Sequence, residues 1–200
     1  MRIKKGLICI LMWTVMLFLT ACSKNTPEKE SEKQRDNDEK PTELAETEPV
    51  IGKDDTLLRI FTGIKEEYKD TYLPVTEYTQ EMIEKTYGIS PLWYHAAIVE
   101  TAAIDSQPDT FMGFLVKPEY KEPLLQKVTE YKTKLLEERP EDLVNASKIE
   151  ASQILVYDEY VFFVMLGMID DTRQDISGLR DSFSEENLKA IRVIEQYIDE

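Results

Sequence analysis

Few side chains in this chain are equipped for chemistry. His95 is the only histidine among the 200 residues, and the only cysteines are Cys9 and Cys22. A Ser-His-Asp apparatus would have to run through His95, yet no G-x-S-x-G turn exists to present a serine. His95 stands beside Trp93 and Tyr94 at a strand start, where packing is the ordinary role. No phosphate-binding G-x-x-x-x-G-K-[ST] loop, no G-x-G-x-x-G and no H-E-x-x-H occurs, and the 7 glycines do not cluster. Asp170, Asp171 and Asp175 carry oxygens suited to a divalent cation, but their spacing lacks the alternate acids and central glycine of an EF-hand loop. A solvated loop is expected there. Glu100 is the more telling carboxylate. Strand alternation sets it on one face with Tyr94, Ala96, Ile98 and Ile104, among apolar neighbours. A buried carboxylate needs a partner or takes a raised pKa, so Glu100 is the candidate ligand or buried-charge site. Pairing with a lysine at a strand edge is the plainer alternative. Tyr157, Tyr160, Phe162 and Phe163 could line a ligand surface, with core as the default. The expectation is therefore no catalytic residue, no metal and no cofactor. Paired-carboxylate hydrolysis stays open, because acids are everywhere and a sequence does not show which two face each other.

Cys22 has a more definite role. Arg2, Lys4 and Lys5 form a short basic start, an almost unbroken apolar run follows from Gly6 to Leu19, and small Thr20 and Ala21 precede Cys22. That is the three-zone pattern of a secretory signal peptide, and Leu19-Thr20-Ala21-Cys22 resembles the lipobox of bacterial lipoproteins. The resemblance implies a diacylglycerol on the Cys22 thiol and cleavage just before it. Two acyl chains hold a protein stably where one chain does so only marginally. An uncleaved membrane helix is the alternative, but the run is shorter than the about 20 apolar residues a span needs, and polar Ser23-Lys24-Asn25 follow at once.

Residues 23–50 contain no aromatic residue and only Leu44, Ala45 and Val50 as apolar members. Such a segment cannot bury enough surface to offset the entropy of ordering. As a flexible coil it spans on the order of 30 Å. The chain carries 24 basic and 39 acidic residues, a net charge of −15 that becomes more negative without Arg2, Lys4 and Lys5. This balance opposes nucleic acid, which needs a basic footprint, and also adsorption to anionic headgroups. The organisation read from the chain is a lipoprotein signal peptide over 1–21, a disordered acidic tether over 22–50 and one domain over 51–200. With Cys9 removed and Cys22 lipidated, that domain has no disulfide and must hold by packing.

Apolar periodicity gives the elements that would carry any site. Leu57, Leu58, Phe61, Ile64 and Tyr68 fit one helical face, ended by Pro74. Thr76 caps a second helix through Tyr78, Met82 and Ile83, and Gly88 suits the left-handed position after it, with Ile89 packing back on Ile83. Trp93 to Ile104 reads as a strand, with an Ala-rich helix as the alternative; 105–109 is a turn and 111–116 a second strand. Glu119 to Glu138 is the clearest helix, striped by Tyr120, Leu124, Val128, Tyr131 and Leu135. Strands over 149–157 and 160–168 join at Asp158-Glu159. The second is apolar on both faces, as a central strand would be. A last helix starts at Ser184, with Phe183 and Leu188 as its staple and Leu188, Ile191, Ile194 and Ile198 facing the core. The result is an α+β domain with a roughly four-stranded, largely antiparallel sheet.

The run Leu92 to Asp170 resembles an uncharacterised domain of Gram-positive lipoproteins, on the Tyr87-Gly88-Ile89 stop, the strand at Val99-Glu100, the helix Pro118–Glu138 and the hairpin with Tyr160-Val161-Phe162-Phe163-Val164. The resemblance implies a lipoprotein carrying this domain and brings no activity. The reading is a domain held by lipid outside the cytoplasm, binding an envelope protein or a small ligand. A cell-wall hydrolase working through Asp and Glu is the alternative.

Overall fold

The computed structural model describes residues 54–104, 106–138, 141–169 and 175–199. The expected signal peptide, Cys22 and the tether lie outside them. So do Asp170 and Asp171.

The chain runs α1 (Asp55–Tyr68), β1 (Pro74–Glu77), α2 (Gln80–Tyr87), β2 (Tyr94–Ala102), β3 (Thr110–Val116), α3 (Lys121–Glu137), α4 (Leu143–Ala151), β4 (Gln153–Tyr157), β5 (Tyr160–Met165) and α5 (Ile176–Ile198). The class is α+β, as expected. The sheet has five strands rather than four, in the order β1-β2-β3-β5-β4, and every neighbouring pair is antiparallel. The added strand is β1. Pro74 opens it and Thr76 pairs with Thr101, so Thr76 is not a helix cap. A proline at the first residue of an edge strand loses no ladder bond. The cap of α2 is Thr79, whose Oγ accepts from the Met82 N–H at 3.3 Å. Gly88 then ends α2 at φ +67°, and Ile89 is fully buried in the same cluster as Ile83.

Both faces of the sheet are covered. Met112, Phe114 and Val116 of β3 and Val161, Phe163 and Met165 of β5 pack with Ile83 and Tyr87 of α2, Leu124 and Val128 of α3, and Ile149 of α4. The alternate residues Phe111, Phe162, Val164 and Leu166 pack with Leu57, Ile60, Ile64 and Tyr68 of α1 and Ala190 and Ile194 of α5. The two-sided apolar run in β5 is thus explained by helices on both faces of a strand that lies inside the sheet, between β3 and β4, as expected.

Two expected elements differ. Residues 149–151 belong to α4 and not to a strand; Asp142 caps that helix by accepting from the Val144 N–H at 2.8 Å, and only 153–157 are extended. Ser184 does not begin the last helix. Asp175 does, accepting from the Gly178 N–H at 2.6 Å, and Ser184 sits inside with its hydroxyl donating to the Arg180 carbonyl. The buried stripe is Leu179, Phe183, Asn187, Ala190 and Ile194, while Leu188 is exposed. A polar residue within the stripe had disguised its phase.

The tyrosines make alkaline pH a sharp probe of this packing. Tyr87 sits edge-on to Tyr131 at 4.9 Å and near Tyr78 at 5.6 Å. Burial raises its phenol pKa, and the neighbouring tyrosines add to the shift. Burial likewise raises Tyr68, Tyr72 and Tyr131, and takes Tyr94 to about 12. An unfolded tyrosine ionises near 10. Above that pH the unfolded chain releases protons that the folded chain keeps, so stability is intact below pH about 10 and is lost as pH rises through the folded values. Melting followed by circular dichroism should show Tm falling steeply above about pH 10, and less steeply in Tyr87→Phe.

Candidate functional site

Glu100 is buried and lies on the face of Ala96 and Ile98, as alternation suggested, but Tyr94 does not share that face. The ladder between β2 and β3 is irregular between Tyr94 and Ala96. Tyr94 and Val99 therefore pack toward α2 and α3, whereas Ala96 and Ile98 turn toward α1 and α5. Ile104 lies past the strand and is exposed. Glu100 Oε1 accepts from Lys65 Nζ of α1 at 3.0 Å, and that ammonium lies over the rings of Phe61 and Tyr72, 4.4 and 5.3 Å from their centroids. Burial and then the Glu100 charge raise the Tyr72 phenol pKa. Lys65 remains partly exposed, so the pair joins the end of α1 to the sheet at the protein surface. His95 is exposed on β2. Asp175 is spent as a helix cap. The four aromatics do not form one surface: Phe163 meets Tyr131 on one face of the sheet, while Tyr160 stacks on Phe162 on the other.

A stronger constellation joins residues 39 positions apart. Asp109, just before β3, and Lys148, in the middle of α4, form an ion pair at 2.5 Å, with 1% and 4% of their surfaces exposed. The two pKa shifts run against the usual ion-pair pattern. Burial raises Asp109, and the Lys148 charge and the N–H groups of Asp109 and Gly167 only partly oppose it. Burial lowers Lys148, with Asp109 and then Glu186 pulling the other way. Desolvation thus outweighs attraction for both members, a balance that buried pairs commonly strike. Asp109 Oδ1 is buried with no hydrogen-bond partner among the described residues.

Three local features force this arrangement. α4 is short and its residues 146–149 are all buried, so Lys148 cannot reach solvent by rotating its helix face outward. The Phe183 ring of α5 lies 5.2 Å from its Nζ. Gly167 leaves β5 at φ +101°, and a Cβ there would stand 2.5 Å from Glu186 Cβ. Only glycine lets the chain pass so close to α5. Asn187 ties the two walls together: its Nδ2 donates to the Ala151 carbonyl at the end of α4, and its Oδ1 accepts from the Leu166 N–H at the end of β5, at 3.0 and 2.9 Å.

Above the pair opens a cleft of about 240 Å³. Asp109, Lys148 and Gly167 contribute to its lining, Leu73, Val144, Ile169 and Phe183 form apolar walls, and Gln107 and Asn145 supply amides. Asn145 is held by donating to the Ser106 carbonyl at 2.8 Å. Glu100 does not line this cleft. Among the described residues no group of three or more His, Cys, Asp or Glu could hold a metal, and no helix is long and apolar enough to cross a membrane. Sequence reasoning missed the pair because Asp109 ended a turn and Lys148 fell between elements, in a chain full of both residue types.

The architecture defines a class: an antiparallel five-stranded sheet with helices on both faces and a charged pair buried where α4, α5 and the end of β5 meet. Residues 67–166, half of the chain, match the family described as Domain of unknown function (DUF4358), and the chain belongs to that family. The match begins well before Leu92, takes in Glu100, Asp109 and Lys148, and stops one residue short of Gly167. No curated protein and no solved structure matches the chain.

Proposed function

We propose that this chain is a lipid-anchored domain on the outer side of the cell membrane, and that it binds a small ligand in the cleft over Asp109 and Lys148. The observation that carries the binding role is the pair itself. Two charges are kept inside a cavity although burial disfavours the charged form of each, and groups perturbed in this way, beside a cavity, mark functional sites. The address rests on the Leu19-Thr20-Ala21-Cys22 sequence behind its apolar run. Hydrolysis has less support than binding. Glycosidases set two carboxyl groups across the scissile bond, whereas the cleft pairs its carboxylate with an ammonium.

The address is tested with the full chain expressed in a bacterial host given an alkyne analogue of palmitate. Labelled protein in the membrane fraction, with label and membrane retention both lost in Cys22→Ala, is the expected result. A Cys22→Ala chain that stays full-length in the membrane overturns it.

A further inference from the structure

On the reading that the cleft is a ligand site, its walls and its mouth ask for different chemistry. Leu73, Val144, Ile169 and Phe183 make the walls apolar, and Met168, 52% exposed, lines the solvent side. The charges beneath, Asp109 and Lys148, are buried and already paired with each other. A ligand charge carried inside would lose its hydration with no free counter-charge in its place. The part that enters must therefore be apolar. The volume, about 240 Å³, lies below the range of drug-sized sites, about 300 to 1,000 Å³, so that part is short.

The mouth is acidic. Asp142 is exposed at the start of α4, and its oxygens accept from the Val144 N–H at 2.8 Å and from Asn145 Nδ2 at 3.3 Å, both residues of the cleft lining. The carboxylate is thus held beside the opening, and no described lysine or arginine forms an ion pair with it. Glu141 is a second exposed acid next to it. The N-terminal end of α4 contributes about half a positive charge, against two full negative ones, so the sum at the mouth stays negative. A cation is drawn there and an anion repelled. We infer that the cleft takes a small alkylammonium, its short apolar body set among Val144, Met168 and Phe183 and its ammonium left in solvent beside Asp142.

The test uses the ¹⁵N-labelled full chain in micelles of an uncharged detergent at low salt, with isoamylammonium as probe and isoamyl alcohol and isovalerate as neutral and anionic counterparts of similar shape. Saturable shifts at the Val144 and Met168 amides are expected for isoamylammonium, with Kd roughly millimolar. An exposed ion pair is weak, so the preference is modest: about two- to fivefold over the alcohol and about tenfold over isovalerate. Salt at about 0.5 M should remove most of it. Asp142→Asn keeps a side chain that caps a helix equally well, so this variant should fold, bind the alcohol unchanged and lose most of the preference. Binding of the alcohol or the anion as tightly as the ammonium overturns the alkylammonium assignment and leaves the cleft as a ligand site. A preference unchanged in Asp142→Asn overturns the placement of the ammonium. Failure of all three probes to shift Val144 or Met168 overturns both this inference and the binding role of the cleft.

Discussion

Replacing Lys148 with methionine is expected to cost roughly 3 to 5 kcal/mol of folding free energy, while adding Asp109→Leu to it should recover most or all of that loss. The single change strands a carboxylate that is 1% exposed, and the double change strands nothing. Urea unfolding of the wild type, both single variants and D109L/K148M closes the cycle, and two similar single losses with a near-neutral double are the pattern that identifies an unpaired buried charge. The pH dependence of K148M adds a sign. Without the ammonium, only the N–H groups of Asp109 and Gly167 oppose burial and the Asp109 carboxyl pKa moves further up, so the folded state takes a proton that an unfolded aspartate, with pKa near 4, does not. The loss in K148M should therefore be full at neutral pH and shrink as pH falls through the folded pKa. A double variant as unstable as the singles would mean that the pair contributes stability on balance and has no need of a ligand to explain it.

Gly167→Ala should be the most damaging small substitution near the cleft, at on the order of 2 to 4 kcal/mol. The new methyl meets the Cβ of Glu186 at 2.5 Å, on a backbone whose φ of +101° L-residues rarely adopt. Relief would require β5 to part from α5, and the Gly167 N–H that favours the Asp109 carboxylate would move with it. Gly113→Ala provides the comparison. Its methyl would meet Leu57 Cδ1 at 2.7 Å, but that contact is the end of a flexible side chain and the backbone is unstrained. Urea midpoints should rank wild type above Gly113→Ala and Gly113→Ala above Gly167→Ala; the reverse order of the two variants would remove the role given to Gly167.

The elements that could be read from the sequence were those with one dominant signal. The period of Leu124, Val128 and Tyr131 marked α3, Gly88 marked the stop of α2, and the two-sided apolar run marked β5. Elements decided by tertiary context were not. β1 is four residues long and extended because β2 offers it a ladder. α4 carries a lysine on its buried side, which no apolar pattern anticipates, and α5 hides a buried amide in its stripe. For the same reason Glu100 was found and Asp109 was not. A lone acid in an apolar strand is conspicuous, whereas one acid at the end of a turn Asp105-Ser106-Gln107-Pro108-Asp109 is ordinary until α4 closes over it.

Asn187 sets the minimum length of an autonomous folding unit. Its single amide fills the last bond of β5 and the last bond of α4, yet it lies 21 residues beyond the family match, as does most of α5. A fragment cut at residue 166 would keep Asp109 and Lys148 while losing the Phe183 ring beside the ammonium. It would also leave the Leu166 N–H and the Ala151 carbonyl without these partners. The span defined by sequence likeness is thus narrower than the span that can build the cleft, and expression boundaries belong at the ends of α1 and α5.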